Sequence, residues 1–352
     1  MTDGAFDVIT MGRVSVDLYP EQSGVPLAEV KTFAKSLGGS PTNVAVAAAR
    51  YGRRAAVITK VGDDGFGAYV RLALRGFGVD DRYVGTDPVL RTPVVFCELF
   101  PPDHFPLLFY RQPTAPDIRI RPDELDLDAI RAARIFWTTG TGLSAEPSRS
   151  ATLAALKARR AGAERRGRGE KAAHTETRRT KITIHDLDHR PMLWPDVSEA
   201  PALQERALRH ADVVVGNLEE AAVVVGEGEA ENVARRLLEL GPWLAIVKLG
   251  GDGAIVAWED QLARVPAVPV EVVNGLGAGD AFGGALCHGL LAGWSPPEVV
   301  AFAAAAGAYV AARLACADAM PDEPAVRALM AANANRAAAR HARNETKQAA
   351  SR

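Results

Sequence analysis

The sequence contains few cysteines and few aromatic residues. Only three of its 352 residues are cysteine, and 6% are aromatic. Cys97, Cys287 and Cys316 lie far apart and are odd in number, so they form neither a disulfide framework nor a CxxC metal pair. This cysteine usage is typical of a reducing compartment, so we expect a cytoplasmic protein.

The sequence also has little net charge and no long hydrophobic run. Its 41 basic and 43 acidic residues leave a net charge of −2, which provides no global field for nucleic acid or anionic membrane. The first residues lack the basic start and apolar run of a signal peptide. The longest apolar stretch, Val299–Ala312, is shorter than the roughly 20 residues that cross a bilayer and favours a buried helix. We therefore expect neither a membrane nor a nucleic-acid partner.

Short β-branched runs alternate with helical patterns over most of the chain. The predicted strands are "FDVITMG", "AAVITKVG", "ARIFWTTG", "KITIHDLD", "ADVVVGN" and "LAIVKLGG", each followed by a stretch that fits a helix. This alternation predicts a three-layer α/β/α fold, with a mostly parallel sheet covered by helices on both faces. Ligands of such folds bind beyond the carboxyl ends of the strands. We expect one domain over residues 1–335 and a polar C-terminal tail over 336–352.

Three segments interrupt the alternation. Strand-like runs at about 13–36 and 91–112 predict a small β lid on the main sheet. The apolar run "VVFCELF" in the second of them predicts a lid edge that pairs with another copy, and hence a homodimer. The basic segment at about 159–181 fits either a nucleic-acid arm or a solvated inserted loop. The rest of the chain is not basic, which favours the loop.

The glycine-rich stretch "NGLGAGDAFGGAL" begins at residue 274 and opens a helical pattern. Its spacing matches neither a Walker loop nor a dinucleotide-binding fingerprint. Gly277, Ala278 and Gly279 would direct backbone N–H groups at an anion, at the positive end of the helix dipole. Asp280 in the first helical turn fits either a helix cap or a base that accepts the proton of an attacking hydroxyl. The residues alone leave both interpretations open.

Two motifs in this order resemble the ribokinase/PfkB family of sugar kinases. "NGLGAGDAFGGALCHG" resembles the family's C-terminal motif, and "GGSPTNVAVAAARYG" resembles its N-terminal motif. The resemblance implies a ribokinase-like fold and ATP-dependent phosphorylation of a sugar hydroxyl with Mg²⁺, and it allows for a monovalent cation. It further implies that Asp280 is the catalytic base and that Gly277, Ala278 and Gly279 form the anion hole.

The same resemblance implies roles for residues that would otherwise pass as ordinary. Asp17, Gly39 and Asn43 would hold sugar hydroxyls. Asn217 and Glu220 of "NLEE" match the family's NxxE motif, in which the glutamate organises Mg²⁺ through water. Gly250 and Gly253 would line the nucleotide phosphates. Without the family, Asp17 would be a turn acid, and Asn43 and Asn217 would be helix caps.

Two further segments resemble the branch of the family that acts on acidic sugars. "FYRQPTAPD" is similar to a region of ketodeoxygluconate kinases, which implies that Arg111 forms a charge-assisted pair with a substrate carboxylate. The alternative is a surface arginine. "DLDHRPMLWPD" is similar to a segment that would place Arg190 near the phosphates, although Asp188 replaces the usual asparagine.

We therefore expect a kinase that phosphorylates a primary hydroxyl of an open-chain acidic sugar. A kinase of neutral sugars or nucleosides and a non-catalytic sugar-binding regulator remain alternatives. The intact Asp280 and anion hole disfavour the regulator.

Overall fold

The computed structural model describes residues 5–166 and 181–350. The strands in these ranges are β1 (Val8–Met11), β2 (Ser15–Pro20), β3 (Phe33–Gly38), β4 (Ala55–Gly62), β5 (Val79–Asp80), β6 (Val84–Asp87), β7 (Val94–Cys97), β8 (Leu107–Tyr110), β9 (Ile135–Thr139), β10 (Ile182–Asp186), β11 (Val213–Asn217), β12 (Leu244–Lys248), β13 (Ala254–Trp258) and β14 (Gln261–Val265). The helices are α1 (Ser40–Arg50), α2 (Gly65–Gly76), α3 (Leu127–Ala132), α4 (Ser148–Arg166), α5 (Ala200–Leu208), α6 (Leu218–Val225), α7 (Ala230–Glu239), α8 (Ala278–Ala292), α9 (Pro296–Ala311) and α10 (Glu323–Ala350).

Most of the strands join one large sheet. Within the described ranges this sheet has ten strands, in the order β14-β13-β12-β11-β10-β9-β1-β4-β5, with β6 also paired to β4. Strand β1 lies between β4 and β9 and is parallel to both. Only the β12–β13 and β13–β14 pairs of the described sheet are antiparallel. The six strands predicted from the sequence are all present in it.

Helices cover both faces of the large sheet. Val8 and Trp137 belong to a core that includes α1, α8 and α9, whereas their neighbours Ile9 and Phe136 belong to a core on the opposite face with α4. Successive side chains of a strand point to opposite faces, so strands buried on both sides carry continuous apolar runs. The predicted three-layer α/β/α class is confirmed.

A second, smaller sheet lies over the carboxyl ends of the large one. Its four described strands have the order β3-β2-β7-β8, and all of them fall in the two segments expected to form a lid. The apolar run predicted as its edge is instead interior, because β7 pairs with both β2 and β8. At the edge strand β8, Leu108 and Tyr110 are exposed.

The structure corrects two other predictions. Strand β12 is followed by the antiparallel hairpin of β13 and β14, not by a helix. Helix α4 continues to Arg166, so the basic loop predicted from residue 159 does not begin there. Arg159 is buried, and its guanidinium donates hydrogen bonds to main-chain oxygens. The remainder of that loop, residues 167–180, lies outside the described residues.

The C-terminal region contains two helices of different character. Helix α9 is largely buried, as predicted for the longest apolar stretch. Helix α10 runs through most of the predicted polar tail. No helix in the described part of the chain combines the length and hydrophobicity needed to cross a membrane.

Candidate active site

A cavity of about 620 Å³ opens where the parallel strands end, beneath the small sheet. Most of the residues expected to form a site line this cavity: Asp17, Gly39, Asn43, Arg190, Asn217, Gly250, Gly277, Gly279 and Asp280. They come from both sequence motifs and from the ends of several strands. The fold therefore gathers residues from across the chain into one space.

The glycine-rich turn forms the start of α8. Gly277 is the N-cap residue, with φ of +80°, a left-handed conformation that favours glycine. A Cβ at this position would lie 2.4 Å from Sγ of Cys316, so the turn is also closely packed. Ala278 and Gly279 are the first residues of the helix. Free N–H groups at a helix start attract anions, and here they border the cavity.

Asp280 stands in the first turn of α8 and is held by the N-terminal motif. Its Oδ2 accepts a hydrogen bond of 2.8 Å from Nδ2 of Asn43 on α1. Burial raises the pKa of Asp280, while the hydrogen bond from Asn43 acts in the opposite direction. The two helices approach closely, since a Cβ at Gly284 would lie 2.2 Å from Cβ of Ala47. Oδ1 of Asn43 is buried and has no hydrogen-bond partner among the described residues.

Asp17 is a second carboxylate in the cavity wall. Oγ of Ser15 donates to its Oδ1 at 2.6 Å, and the hydroxyl of Tyr19 donates to its Oδ2 at 3.4 Å. Burial raises the pKa of Asp17 to about 6, although the hydrogen bond from Ser15 and the charge of Arg13 oppose the rise. Asp17 therefore gains and loses a proton near neutral pH, and it can both accept and donate hydrogen bonds.

Polar and charged residues lie around Asn217, which lines the cavity. Asn217 and Glu220 form a capping box at the start of α6, with N–H···O bonds of 2.7 and 2.8 Å. Lys248 at the end of β12 is half-buried, and its Nζ lies 3.4 Å from where a Cβ of Gly279 would stand. Burial alone would lower the pKa of Lys248, but the nearby carboxylates, led by Asp186, raise it.

Asp186 ends β10 beside this lysine. Burial raises its pKa to about 7, although Lys248 acts to lower it. The segment 5–166 together with 181–350 contains no cluster of three or more His, Cys, Asp or Glu side chains suited to hold a metal ion directly.

Two arginines share the carboxylate of Asp188. Nε of Arg190 donates to Oδ1 at 3.0 Å, and Nε of Arg13 donates to Oδ2 at 3.4 Å. The hydroxyl of Thr141 also donates to Oδ2, at 3.1 Å. Burial alone would raise the pKa of Asp188, but the two guanidinium groups outweigh it and lower the pKa. Asp188 therefore stays ionised and orders both arginines.

The structure does not bring Arg111 into the cavity that contains Asp280. Its guanidinium binds Asp117 with two bonds, of 2.5 and 3.2 Å, and both side chains are buried. Arg111 instead borders a neighbouring cavity of about 360 Å³, which Arg13 also lines. Gly253 also lies outside the lining of the first cavity. Its position is closely packed, because a Cβ there would meet the main-chain oxygen of Val265.

Three residues of the site were not singled out from the sequence: Arg13, Asp186 and Lys248. All three lie at or just beyond the ends of parallel strands. That position was a usable signal, because ligands of this fold class bind at those ends. Charged residues at strand ends are nevertheless common. The structure alone shows that Arg13 lines the cavity, and that Lys248 interacts with Asp186 beside Gly279.

Comparisons with known proteins agree with this geometry. A family profile described as pfkB family carbohydrate kinase matches residues 5–166 and 167–323. The chain belongs to this family. As a member of the pfkB family, it is a carbohydrate kinase, a phosphotransferase with an alcohol group as acceptor. This confirms the class of enzyme expected from the two motifs.

Relatives of known name cover nearly the whole chain. The 5-dehydro-2-deoxygluconokinase of Clostridium tetani is 31% identical over 322 residues, which is 90% of each protein. The enzyme of the same name from Geobacillus kaustophilus is 31% identical over 341 residues, 95% of this chain and 96% of that one. The crystal structure of a Vibrio cholerae fructokinase with fructose, ADP and a calcium ion superposes with a TM-score of 0.76, at 27% identity, over 92% of this chain and 99% of that one.

Proposed function

We propose that this pfkB-family kinase transfers the γ-phosphate of ATP to the 6-hydroxyl of 5-dehydro-2-deoxy-D-gluconate, a step of myo-inositol breakdown. One observation carries the proposal: a half-buried carboxylate, Asp280, borders the cavity at the N-terminus of α8, where backbone N–H groups can meet a phosphoryl group. The choice of sugar rests on the relatives of that name, which match the chain at about 30% identity.

The sugar would lie between α1 and the small sheet. Asp17 and Asn43 would exchange hydrogen bonds with its hydroxyl groups, and Oδ1 of Asn43 has no protein partner in the described chain. Gly39 permits close contact because its φ of +97° and its tight packing exclude a side chain. These contacts would orient the reacting hydroxyl towards Asp280.

Asp280 would accept the proton of this hydroxyl as the oxygen attacks the γ-phosphorus and the bond to the ADP oxygen breaks. The raised pKa of Asp280 suits a base. The N–H groups of Gly277, Ala278 and Gly279 would stabilise the negative charge on the transferring group. Closure of the small sheet would keep water from acting as acceptor.

The phosphate chain would occupy the end of the cavity formed by Asn217, Arg190 and Gly250. Gly253 supports that turn, since its N–H and oxygen bond to Gly250 and Leu249. Bound Mg²⁺ would offset the charge of the phosphates, and Glu220 would orient water around it. The family resemblance also allows for a monovalent cation, and comparing turnover with and without K⁺ tests for it.

The proposal is tested by coupled ATP turnover with purified protein and a panel of sugars. The panel contains 5-dehydro-2-deoxygluconate, 2-keto-3-deoxygluconate, fructose and ribose, with Mg²⁺ and with or without K⁺. Preference for the first acid, lost in Asp280→Asn, supports the substrate and the base together. Preference for a neutral sugar would refute the substrate and retain the family.

A ketodeoxygluconate kinase is the second candidate, favoured by the similarity of the segment around Arg111 to that branch. The same panel separates the two acids. Turnover of any sugar would exclude the non-catalytic regulator. We expect that adding nucleic acid does not change the rate of ATP turnover.

The proposal includes a homodimer formed through the small sheet. Phe96 stacks edge-on against both Phe33 and Tyr110 on the side that carries the exposed Leu108 and Tyr110. An apolar surface of this kind favours contact with a second copy. Light scattering should give twice the chain mass of 37.4 kDa, and Tyr110→Lys should reduce it.

A further inference from the structure

We infer that Arg13 binds the carboxylate of the acidic substrate, and that Arg111 acts only by positioning Arg13. The inference rests on the proposed function, because it assumes an acidic sugar. It reassigns the carboxylate contact from the arginine that the sequence favoured to one that it did not single out.

Arg13 has a guanidinium with free hydrogen-bonding capacity. Its Nε donates to Asp188, but neither terminal nitrogen has a hydrogen-bond partner in the described parts of the chain. The side chain is 13% exposed and lines both the cavity of Asp280 and the neighbouring one. Two parallel N–H donors are thus available for a carboxylate in the geometry that arginine offers best.

Arg111 has no comparable capacity. Its two terminal nitrogens are occupied by Asp117, which is almost fully buried. A substrate carboxylate would have to displace this paired carboxylate, at the cost of a buried charge without a partner. Arg111 also lies outside the lining of the cavity in which Asp280 stands.

The Arg111–Asp117 pair instead holds the backbone next to Arg13. Oδ2 of Asp117 accepts from the N–H of Val14 at 3.0 Å, and Arg111 donates to the oxygen of Val14 at 3.4 Å. The oxygen of Arg13 accepts from the hydroxyl of Thr42 at 3.3 Å. These bonds fix the main chain from which the side chain of Arg13 reaches into the cavity.

The charges of the cavity make such a cation necessary. Asp17 and Asp280 border the sugar end, and both would repel an acidic sugar. Within the described lining, the cations are Arg13 and Arg190. The charge of Arg13 acts on both Asp17 and Asp280, whereas Arg190 also interacts with Glu220 and Asp186, which leaves Arg13 for the sugar. Asp188 is shared by two guanidinium groups, so this cluster retains a positive charge.

The test compares Arg13→Met and Arg13→Lys with the parent enzyme on 5-dehydro-2-deoxygluconate and on fructose. We expect Arg13→Met to lower kcat/KM for the acid about 100-fold or more, mainly through KM, and to change that for fructose less than about threefold. Methylguanidinium added to Arg13→Ala should restore part of the turnover of the acid. Arg121→Met, which alters an exposed arginine, serves as the matched control.

Arg111→Met should lower the melting temperature and affect both sugars alike, since it acts on the backbone. If Arg111→Met lost turnover of the acidic sugar alone, without a change in melting temperature, the inference would be overturned in favour of a direct contact by Arg111. An unchanged KM for the acid in Arg13→Met would overturn it while the proposed function stands. Parent enzyme that phosphorylates neutral sugars but no acid would overturn both.

Discussion

The carboxylate of Asp280 accepts a 2.8 Å hydrogen bond from the side-chain amide of Asn43, which lies 237 residues earlier in the chain. Each residue belongs to one of the two glycine-rich motifs. The bond joins the starts of α1 and α8, two helices that pack on the same face of the large sheet. It therefore couples the residues proposed to hold the sugar to the residue proposed to activate it.

Loss of this bond should shift the pH at which the enzyme becomes active. A hydrogen bond to the ionised form of an acid favours that form, so Asn43→Ala should raise the pKa of Asp280 further. The acidic limb of the kcat profile should then move to higher pH, with turnover partly recovered as the pH is raised. Asp280→Asn should instead lower kcat about 10²–10⁴-fold at every pH. An unmoved acidic limb in Asn43→Ala would show that another group controls it.

Substitutions of two glycines at the start of α8 should have opposite effects. Gly277→Ala places a Cβ on a left-handed backbone, a conformation that costs residues other than glycine about 1–2 kcal/mol. The same Cβ would also lie too close to Sγ of Cys316. We expect kcat to fall at least about tenfold and the melting temperature to drop. Gly279→Ala meets only an ordinary 3.4 Å contact with Nζ of Lys248, inside a helix. It should leave the melting temperature equal or higher, because alanine favours helices.

Asp17 should make the protein less stable as the pH rises. Its pKa in the folded protein, about 6, is above the ordinary value of 3.8, so the folded state holds the proton more tightly. The contribution of Asp17 to the free energy of unfolding is fully present below pH 3.8 and is lost as the pH rises through 6. Asp17→Asn should therefore raise the free energy of unfolding by up to about 3 kcal/mol at pH 8 and hardly at all at pH 4.

Urea unfolding at the two pH values measures this difference, and the exposed Asp128→Asn is the control. The substitution should also weaken sugar binding, since a carboxylate retained at such a cost is expected to serve the ligand. An equal effect of Asp17→Asn at pH 4 and pH 8 would contradict the assigned titration.

The parts of the fold with a local signal were predictable from the sequence. Buried β-branched runs marked the six central strands, and the motifs around Asn43 and Asp280 marked the cavity. Pairing between distant residues had no such signal. The parallel contact of β2 with β7 placed the run "VVFCELF" inside the small sheet. The resemblance implies a substrate carboxylate as the partner of Arg111, whereas in the structure its guanidinium binds Asp117, only six residues later.

The sequence gives no signal for the contact of Lys248 with Asp186 either. Removal of Lys248 should reduce turnover and alter the titration of Asp186. Lys248→Met removes the cation beside Gly279, so we expect kcat to fall about 10–100-fold. Asp186 would also lose its main opposing charge, and its pKa should rise above about 7. Because a raised pKa in the folded state means stability lost with rising pH, unfolding should become easier between pH 7 and 9. Lys157→Met alters an exposed residue and should change neither kcat nor the pH dependence of unfolding.

Arg159 should be a structural residue of the core, although its basic neighbourhood predicted a solvated loop. Its terminal nitrogens donate to the main-chain oxygens of Ile130 and Ala133 at the end of α3, and of Ile182 in β10. Arg159→Ala removes one donor from each of these oxygens, which costs up to about 1–3 kcal/mol for an oxygen that neither water nor another donor reaches. We expect a clear fall in melting temperature with an unchanged KM for ATP. Lys157→Ala on the same helix should have almost no effect, and equal effects of the two substitutions would show that Arg159 lies in a solvated segment after all.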